Sequence, residues 1–223
     1  MSQNRSPSTQ NHKNQTENPE TYRRIKKALR HQSIHYEELG PHEASLTCND
    51  SARIRQSLGW TKASIHSGAK SMLLKNKKYR PSSVSTSAST LNDHSKNTPI
   101  ASQYILTVLS ASKKLDWKAI KKHPMIDKAK GLTMATPEEV NTVTGCLSGA
   151  VPPFSVCFPY CLDPNSNYND AEYIPVFVDE SLKLQGDVIH FNCGLRTHSM
   201  QMNFEDYVDL AKPILAHFSV KEI

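Results

Sequence analysis

The sequence predicts a mixed α/β fold: a single domain in which a mixed, partly closed, barrel-like sheet is surrounded by helices. Three observations point to it. Strand-like and helix-like runs interleave without a regular βαβ repeat, which disfavours an all-parallel sheet. Two helix starts carry complete capping boxes, "TCND" at 47–50 and "TPEE" at 136–139. A chain of 223 residues, 37% of them hydrophobic, suits one core with additional loops or tails.

Residues 1–18 are almost wholly polar and cannot bury enough apolar area to offset the entropy of ordering, so they are expected to be a disordered tail preceding a domain at 19–223. A helix follows, with Asn18 as cap, Pro19 at the first helical position, and Tyr22, Ile25 and Leu29 as an apolar stripe. "SIHYEEL" at 33–39 reads as a strand. The next helix starts at the Thr47 cap, takes Asp50 as its box carboxylate and ends at Gly59. "AKSMLLK" at 69–75 and "YILTVLS" at 104–110 are strands, and the low-complexity stretch 80–99 between them is an extended hairpin loop.

A short amphipathic helix over "DWKAIKKH" precedes the second capped helix, with Thr136 as cap, Pro137 at the first position, Glu139 as box partner and Gly145 as the stop. Then comes "GCLSGAVPPFS" at 145–155. Its two glycines and adjacent prolines make a stiff loop. Strands are expected at "SVCF", "YIPVFVDESL", "DVIHFN" and "HSMQMN", with a polar insertion at 163–172. A final helix over "FEDYVDLAKPILAHF" is broken or ended near Pro213.

Bulk properties exclude several function classes. No apolar run approaches the roughly 20 residues of a bilayer span, and the N-terminus lacks the apolar centre of a secretory leader, so a cytoplasmic protein is expected. The formal charge of +6 is compatible with an anionic partner without demanding one. Five cysteines, an odd number, argue for free thiols, and Cys157 and Cys161 lack the companions that would complete a zinc set. The sequence contains no G-x-S-x-G elbow, phosphate-binding loop or H-E-x-x-H helix.

Three features remain as candidates. Lys70 heads an apolar strand directly after Gly68 and Ala69, where a ligand can come close. The Gly149, Ala150 and Val151 amides could donate to a carbonyl or phosphate oxygen. A polar run near the C-terminus, "FNCGLRTHSM", supplies Asn192, Gly194, Arg196 and His198.

In order, "GAKSMLLK", "YILTVLSASKKLDWKAIKK", "TPEEVNTVTGCLSGAVPPF", "VFVDESL" and "FNCGLRTHSMQMNFEDYVDL" resemble the YbaK and ProX family of aminoacyl-tRNA deacylases, which also occurs as the inserted editing domain of bacterial prolyl-tRNA synthetases. The resemblance runs from about residue 20 to the C-terminus, interrupted by the two insertions. It implies a free-standing, trans-editing hydrolase that cleaves the ester joining a wrong, small amino acid to a tRNA 3′ end. Mischarged aminoacyl-tRNA is the implied partner, an aminoacyl-tRNA synthetase a further one, and neither cofactor nor metal is implied. Lys70 matches the lysine on which the family's activity depends, Gly149 to Pro153 match its G-x-x-x-P pocket loop, and His42 in "GPHEAS" matches a pocket-side histidine.

On that reading Lys70 orients the 3′ end, and the Gly149 and Ala150 amides donate to the developing oxyanion. Val151, Pro152 and Phe154 form apolar walls. An aminoacyl ester is already activated, so holding it and stabilising its carbonyl charge suffices without a covalent nucleophile. The alternative is a non-catalytic tRNA- or synthetase-binding module of the same fold.

Overall fold

The structure, a computed structural model, describes residues 17–80, 99–162 and 174–221. The polar tail and the two polar insertions expected from sequence lie, except at their borders, outside the described residues. The order of elements is α1 (Glu20–His31), β1 (Tyr36–Leu39), α2 (Cys48–Ser57), β2 (Ala69–Asn76), β3 (Tyr104–Ser110), β4 (Lys113–Leu115), α3 (Trp117–Ile120), β5 (Leu132–Met134) and α4 (Pro137–Thr144). After these come β6 (Val176–Asp179), β7 (Val188–Asn192), β8 (Ser199–Asn203), α5 (Phe204–Ala211), β9 (Ile214–Ala216) and β10 (Ser219–Lys221).

The architecture is mixed α/β. A five-stranded sheet runs β5-β2-β3-β6-β9, beside a three-stranded sheet β1-β8-β7 and a pair β10-β4. β2 pairs antiparallel with β3 and β5, whereas β3–β6 and β6–β9 are parallel. A bridge between Gly68 and His190 ties the start of β2 to β7, and among the described residues the sheets do not close into a barrel.

The large sheet is buried on both faces, because its side chains alternate between two cores with period two. Leu73, Leu106, Val108, Val176 and Val178 face one core, shared with Ile25 and Leu29 of α1, Val140 and Val143 of α4, and Phe204 and Tyr207 of α5. Leu74, Ile105, Leu109 and Phe177 face the other, shared with Ile120 of α3 and Phe218. All seven residues of β3 are therefore buried, which explains its mostly apolar sequence; the Thr107 hydroxyl is satisfied on the Met72 carbonyl and the Ser110 hydroxyl on that of His66.

Both capping boxes form: Thr47 with Asp50, and Thr136 with Glu139. At α1 the cap lies one residue later than expected. Pro19 is the N-cap, and the Asn18 side chain still accepts the Glu20 N–H at 3.0 Å. β1 is shorter than "SIHYEEL", since Ser33 turns at a φ of 55° and the Ile34 N–H closes back on Leu29. "SVCF" is not a strand. The Phe158 N–H bonds the Ser155 carbonyl in a turn, and a 3₁₀ segment follows from Pro159 to Leu162. The last helix ends at Ala211, with Lys212 left-handed before Pro213, and Ile214–Ala216 then pairs parallel with β6 instead of continuing as helix. No helix among the described residues is long and apolar enough to cross a membrane.

His190 gives this fold a pH signature. Its imidazole is 2% exposed, and burial, then the nearby Arg55 charge, pushes its pKa down to about 4. The folded state holds it neutral, while the unfolded chain takes up a proton below about 6.5. Its contribution is therefore present above pH 6.5 and is lost as pH falls toward 4, up to about 3 kcal/mol in all. Urea midpoints from pH 7 to pH 4 should fall more steeply for the wild type than for His190→Gln; parallel curves would contradict this.

Candidate active site

A cleft of about 100 Å³ opens between the first turn of α2, the start of β2, the loop after α4 and the end of β7. Among the residues predicted from sequence, Lys70, Gly149, Val151 and Asn192 line it together, although they lie far apart in the chain. Small residues form much of the remaining wall, including Ser45, Gly68, Ala69 and Ala111. Lys70 is half-buried, opposite Leu109 in the β2–β3 register, and its ammonium donates to the Lys113 carbonyl of β4.

The loop after α4 is held by its carbonyls. Gly145 caps α4 in the left-handed region, at a φ of 70°, which turns the chain toward the cleft. The Ser148 carbonyl accepts both Nε and Nη2 of Arg196, at 3.0 and 2.8 Å. The Gly149 carbonyl accepts Asn192 Nδ2 at 2.8 Å, the Ala150 carbonyl the Gly194 N–H at 2.9 Å, and the Pro153 carbonyl the Tyr207 hydroxyl at 3.2 Å. The Ala150 N–H is used internally, donating to Leu147 at 2.9 Å, so it is not an oxyanion donor. The Gly149 and Val151 amides have no acceptor among the described residues. A side chain on Gly149 would stand in open space, so what calls for glycine is its φ of 89° rather than crowding.

The other predicted residues surround the cleft without lining it. Pro152, Pro153 and Phe154 are buried, and Phe154 is fully enclosed between Phe191 and Tyr207, at ring separations of 5.2 and 5.5 Å. That is a core position, not a cleft wall. Gly194 packs so closely on α1 that an added Cβ would meet the Tyr22 nitrogen at 2.9 Å. Arg196 acts as the clamp on Ser148. His198 lies tilted against Tyr22 with ring centres 5.0 Å apart, and burial lowers its pKa. His42 reaches Ser199 Oγ at 3.1 Å, behind the cleft.

Arg55 escaped the sequence reading. It is 4% exposed yet lines the cleft, with Nε on Ser199 Oγ at 3.0 Å and Nη2 on Asn192 Oδ1 at 2.8 Å. Burial pushes its guanidinium down to about 10, and it remains a cation at neutral pH. A signal existed: Ser51 and Arg55 are four residues apart on α2, on the face that Ile54 also buries. Ser71 Oγ, buried beside the same cleft, has no partner among the described residues.

The thiols of Cys146, Cys157, Cys161 and Cys193 do not resemble activated nucleophiles. None of the five cysteines forms a disulfide, and burial raises Cys146 and Cys161 to about 11 and Cys157 to about 12. Among the described residues no group of three His, Cys, Asp or Glu side chains could hold a metal ion.

Comparison with known proteins converges on one family. The family model described as "Aminoacyl-tRNA editing domain" matches residues 42–210. The chain is 30% identical over 116 residues to the "Multifunctional Ser/Thr-tRNA deacylase ProXp-y" of Escherichia coli (strain K12), the match covering 52% of this chain and 59% of that protein. The same figures hold for its counterpart in Escherichia coli O157:H7. The chain thus spans about three fifths of the length of the curated relatives it matches. A crystal structure described as a candidate trans-editing enzyme for prolyl tRNA synthetase superposes with a TM-score of 0.59 at 19% identity, covering 91% of this chain and 98% of that one. A scaffold used for epitope backbone grafting by computational design gives 0.57 at 18%, with the same coverage of both chains.

Proposed function

Since the chain belongs to the aminoacyl-tRNA editing domain family, we propose that it is a trans-acting deacylase that hydrolyses the ester of a small amino acid mischarged onto tRNA, and that the Lys70–Gly149 cleft holds the reacting ester. The observation that carries this reading is the convergence of Lys70, Gly149, Val151 and Asn192 on one small cleft. The name of the E. coli relative supports the reaction class.

The geometry suits a reaction without a covalent intermediate. The ester carbonyl sits against the Gly149 and Val151 amides, whose donors are held in place because the loop's carbonyls are tied from behind. Such fixed donors stabilise the charge that develops on the carbonyl oxygen as water attacks. Lys70, at the cleft edge, orients the terminal ribose. Asn192 connects the two sides, bonding the Gly149 carbonyl and, at 3.1 Å, the Ser45 hydroxyl. The attacking water keeps its oxygen in the released carboxylic acid, and the proton passes to the ribose oxygen that leaves. Ser199 beside His42 looks like a nucleophile with a base, but it is 1% exposed and is not part of the cleft wall, so it serves as scaffold.

Selectivity follows from cleft size. One methylene discriminates by only about 1 to 3 kcal/mol, which is why small residues escape a synthetase and need a second sieve. A panel of tRNAs mischarged with alanine, serine, threonine and cysteine, scored by loss of the amino acid, tests this. Release of one or more of the four, with larger residues retained, is the expected result. Uniform inactivity would reduce the protein to a binding module.

A further inference from the structure

Arg55 is a buried cation with no carboxylate partner among the described residues. The ion pairs formed elsewhere, such as Lys26 with Glu38 and Arg53 with Glu43, do not include it. Its two bonds go to the neutral oxygens of Ser199 and Asn192. Asp50, the carboxylate on its own helix, accepts the Thr47 N–H and hydroxyl in the capping box and is not on the cleft wall. Nearby titratable groups include the Cys48 and Cys193 thiols, and burial raises Cys193 far out of the ionising range. Burying a cation without an anion is costly, so such a residue persists when something outside the chain supplies the charge.

The orientation narrows what that is. With Nε on Ser199 and one Nη2 hydrogen on Asn192, the guanidinium keeps its end-on edge: the second Nη2 hydrogen and Nη1, which has no acceptor among the described residues. Two parallel N–H groups match an anion that offers two oxygens. The first turn of α2, with Thr47, Cys48 and Ser51 on the cleft wall, adds the positive end of a ten-residue helix to the same space. Lys70 lines the same cleft. We infer that Arg55 is a receptor for a substrate phosphate, the one on the 5′ side of the terminal nucleoside. The identity of that nucleotide rests on the editing function proposed above. Asn192 is then a shared strut, positioning Arg55 through its Oδ1 and the Gly149 loop through its Nδ2.

Titrating the full chain with adenosine 5′-monophosphate, adenosine and free serine tests this without requiring turnover. The wild type should bind the monophosphate about tenfold to a hundredfold more tightly than adenosine. Arg55→Met should abolish that ratio and leave adenosine binding in place, and Arg55→Lys should restore part of it. Because Ser199 Oγ and Asn192 Oδ1 already lie 3.5 Å apart and can bond each other, Arg55→Met should melt at or above the wild-type temperature. Equal binding of the monophosphate and adenosine by the wild type, or binding of neither, overturns the inference. So does a loss of serine binding alone in Arg55→Met, which would make the anion a carboxylate. A lower melting temperature with an unchanged ratio would assign Arg55 to the scaffold and overturn it too. A protein that passes this titration but releases no amino acid would fail the hydrolase reading while keeping the phosphate site.

Discussion

Lys70→Ala is expected to lower deacylation about a hundredfold, the loss that follows when an aligned substrate is misplaced by about an ångström, with the melting temperature nearly unmoved. The side chain is half-buried, and its hydrogen bond goes to a single backbone carbonyl, that of Lys113 on the β4 edge. Its removal therefore opens no core cavity and strands no buried charge. What it takes away is a cation on the wall of the same cleft that the Gly149 loop lines. Lys70→Arg keeps the charge but not the length or the point-like ammonium, and should recover only part of the rate. Single-turnover kinetics on the best substrate of the mischarged panel, alongside thermal melting, would decide. Near wild-type turnover by a folded Lys70→Ala would remove the residue from the mechanism.

Phe154→Ala should destabilise the fold by about 3 to 5 kcal/mol, a large share of the 5 to 15 kcal/mol typical of a whole domain. Phe154 is fully buried, edge-on to Phe191 of β7 and tilted against Tyr207 of α5, so it joins the three-stranded sheet to the last helix. Tyr207 also holds the Pro153 carbonyl, so the cavity would loosen the loop that presents Gly149. Chemical denaturation would show a lower midpoint at unchanged slope. A cleft wall behaves otherwise: its truncation would alter which amino acid is released and leave stability alone. That outcome would contradict the core placement.

How much of this was legible in the sequence depended on whether the signal was local. The two capping boxes and the glycine stop at 145 are fixed by contacts three or four residues apart, and they appear in the structure where the spacing puts them. β3 was equally plain, because a strand buried on both faces reads as a mostly apolar run, and β2 showed itself by the apolar centre Met72–Leu74. "SVCF" has the same look, but Phe158 and Cys157 are buried by a turn and not by a ladder. β9 was hidden because its pairing is with β6, thirty-odd residues earlier, and nothing local distinguishes "ILA" after a proline from a resumed helix.

The candidate site divides along the same line. Lys70 and the Gly149 loop announce themselves by neighbouring glycines and prolines. Whether an amide is free is a different matter: the Ala150 N–H is consumed three residues back, a turn the sequence does not display. Arg55 looks like one more charge on a helix with Arg53. It becomes a cleft residue only when Asn192 and Ser199, more than a hundred positions away, close over it.

The most direct test of the central claim is multiple turnover: catalytic amounts of the full chain incubated with an excess of seryl- or threonyl-tRNA, with released amino acid and bound tRNA followed together. Release of many amino acids per protein molecule is expected, slowed about a hundredfold by Lys70→Ala in a chain that still folds. Tight tRNA binding with release no faster than spontaneous hydrolysis would contradict it.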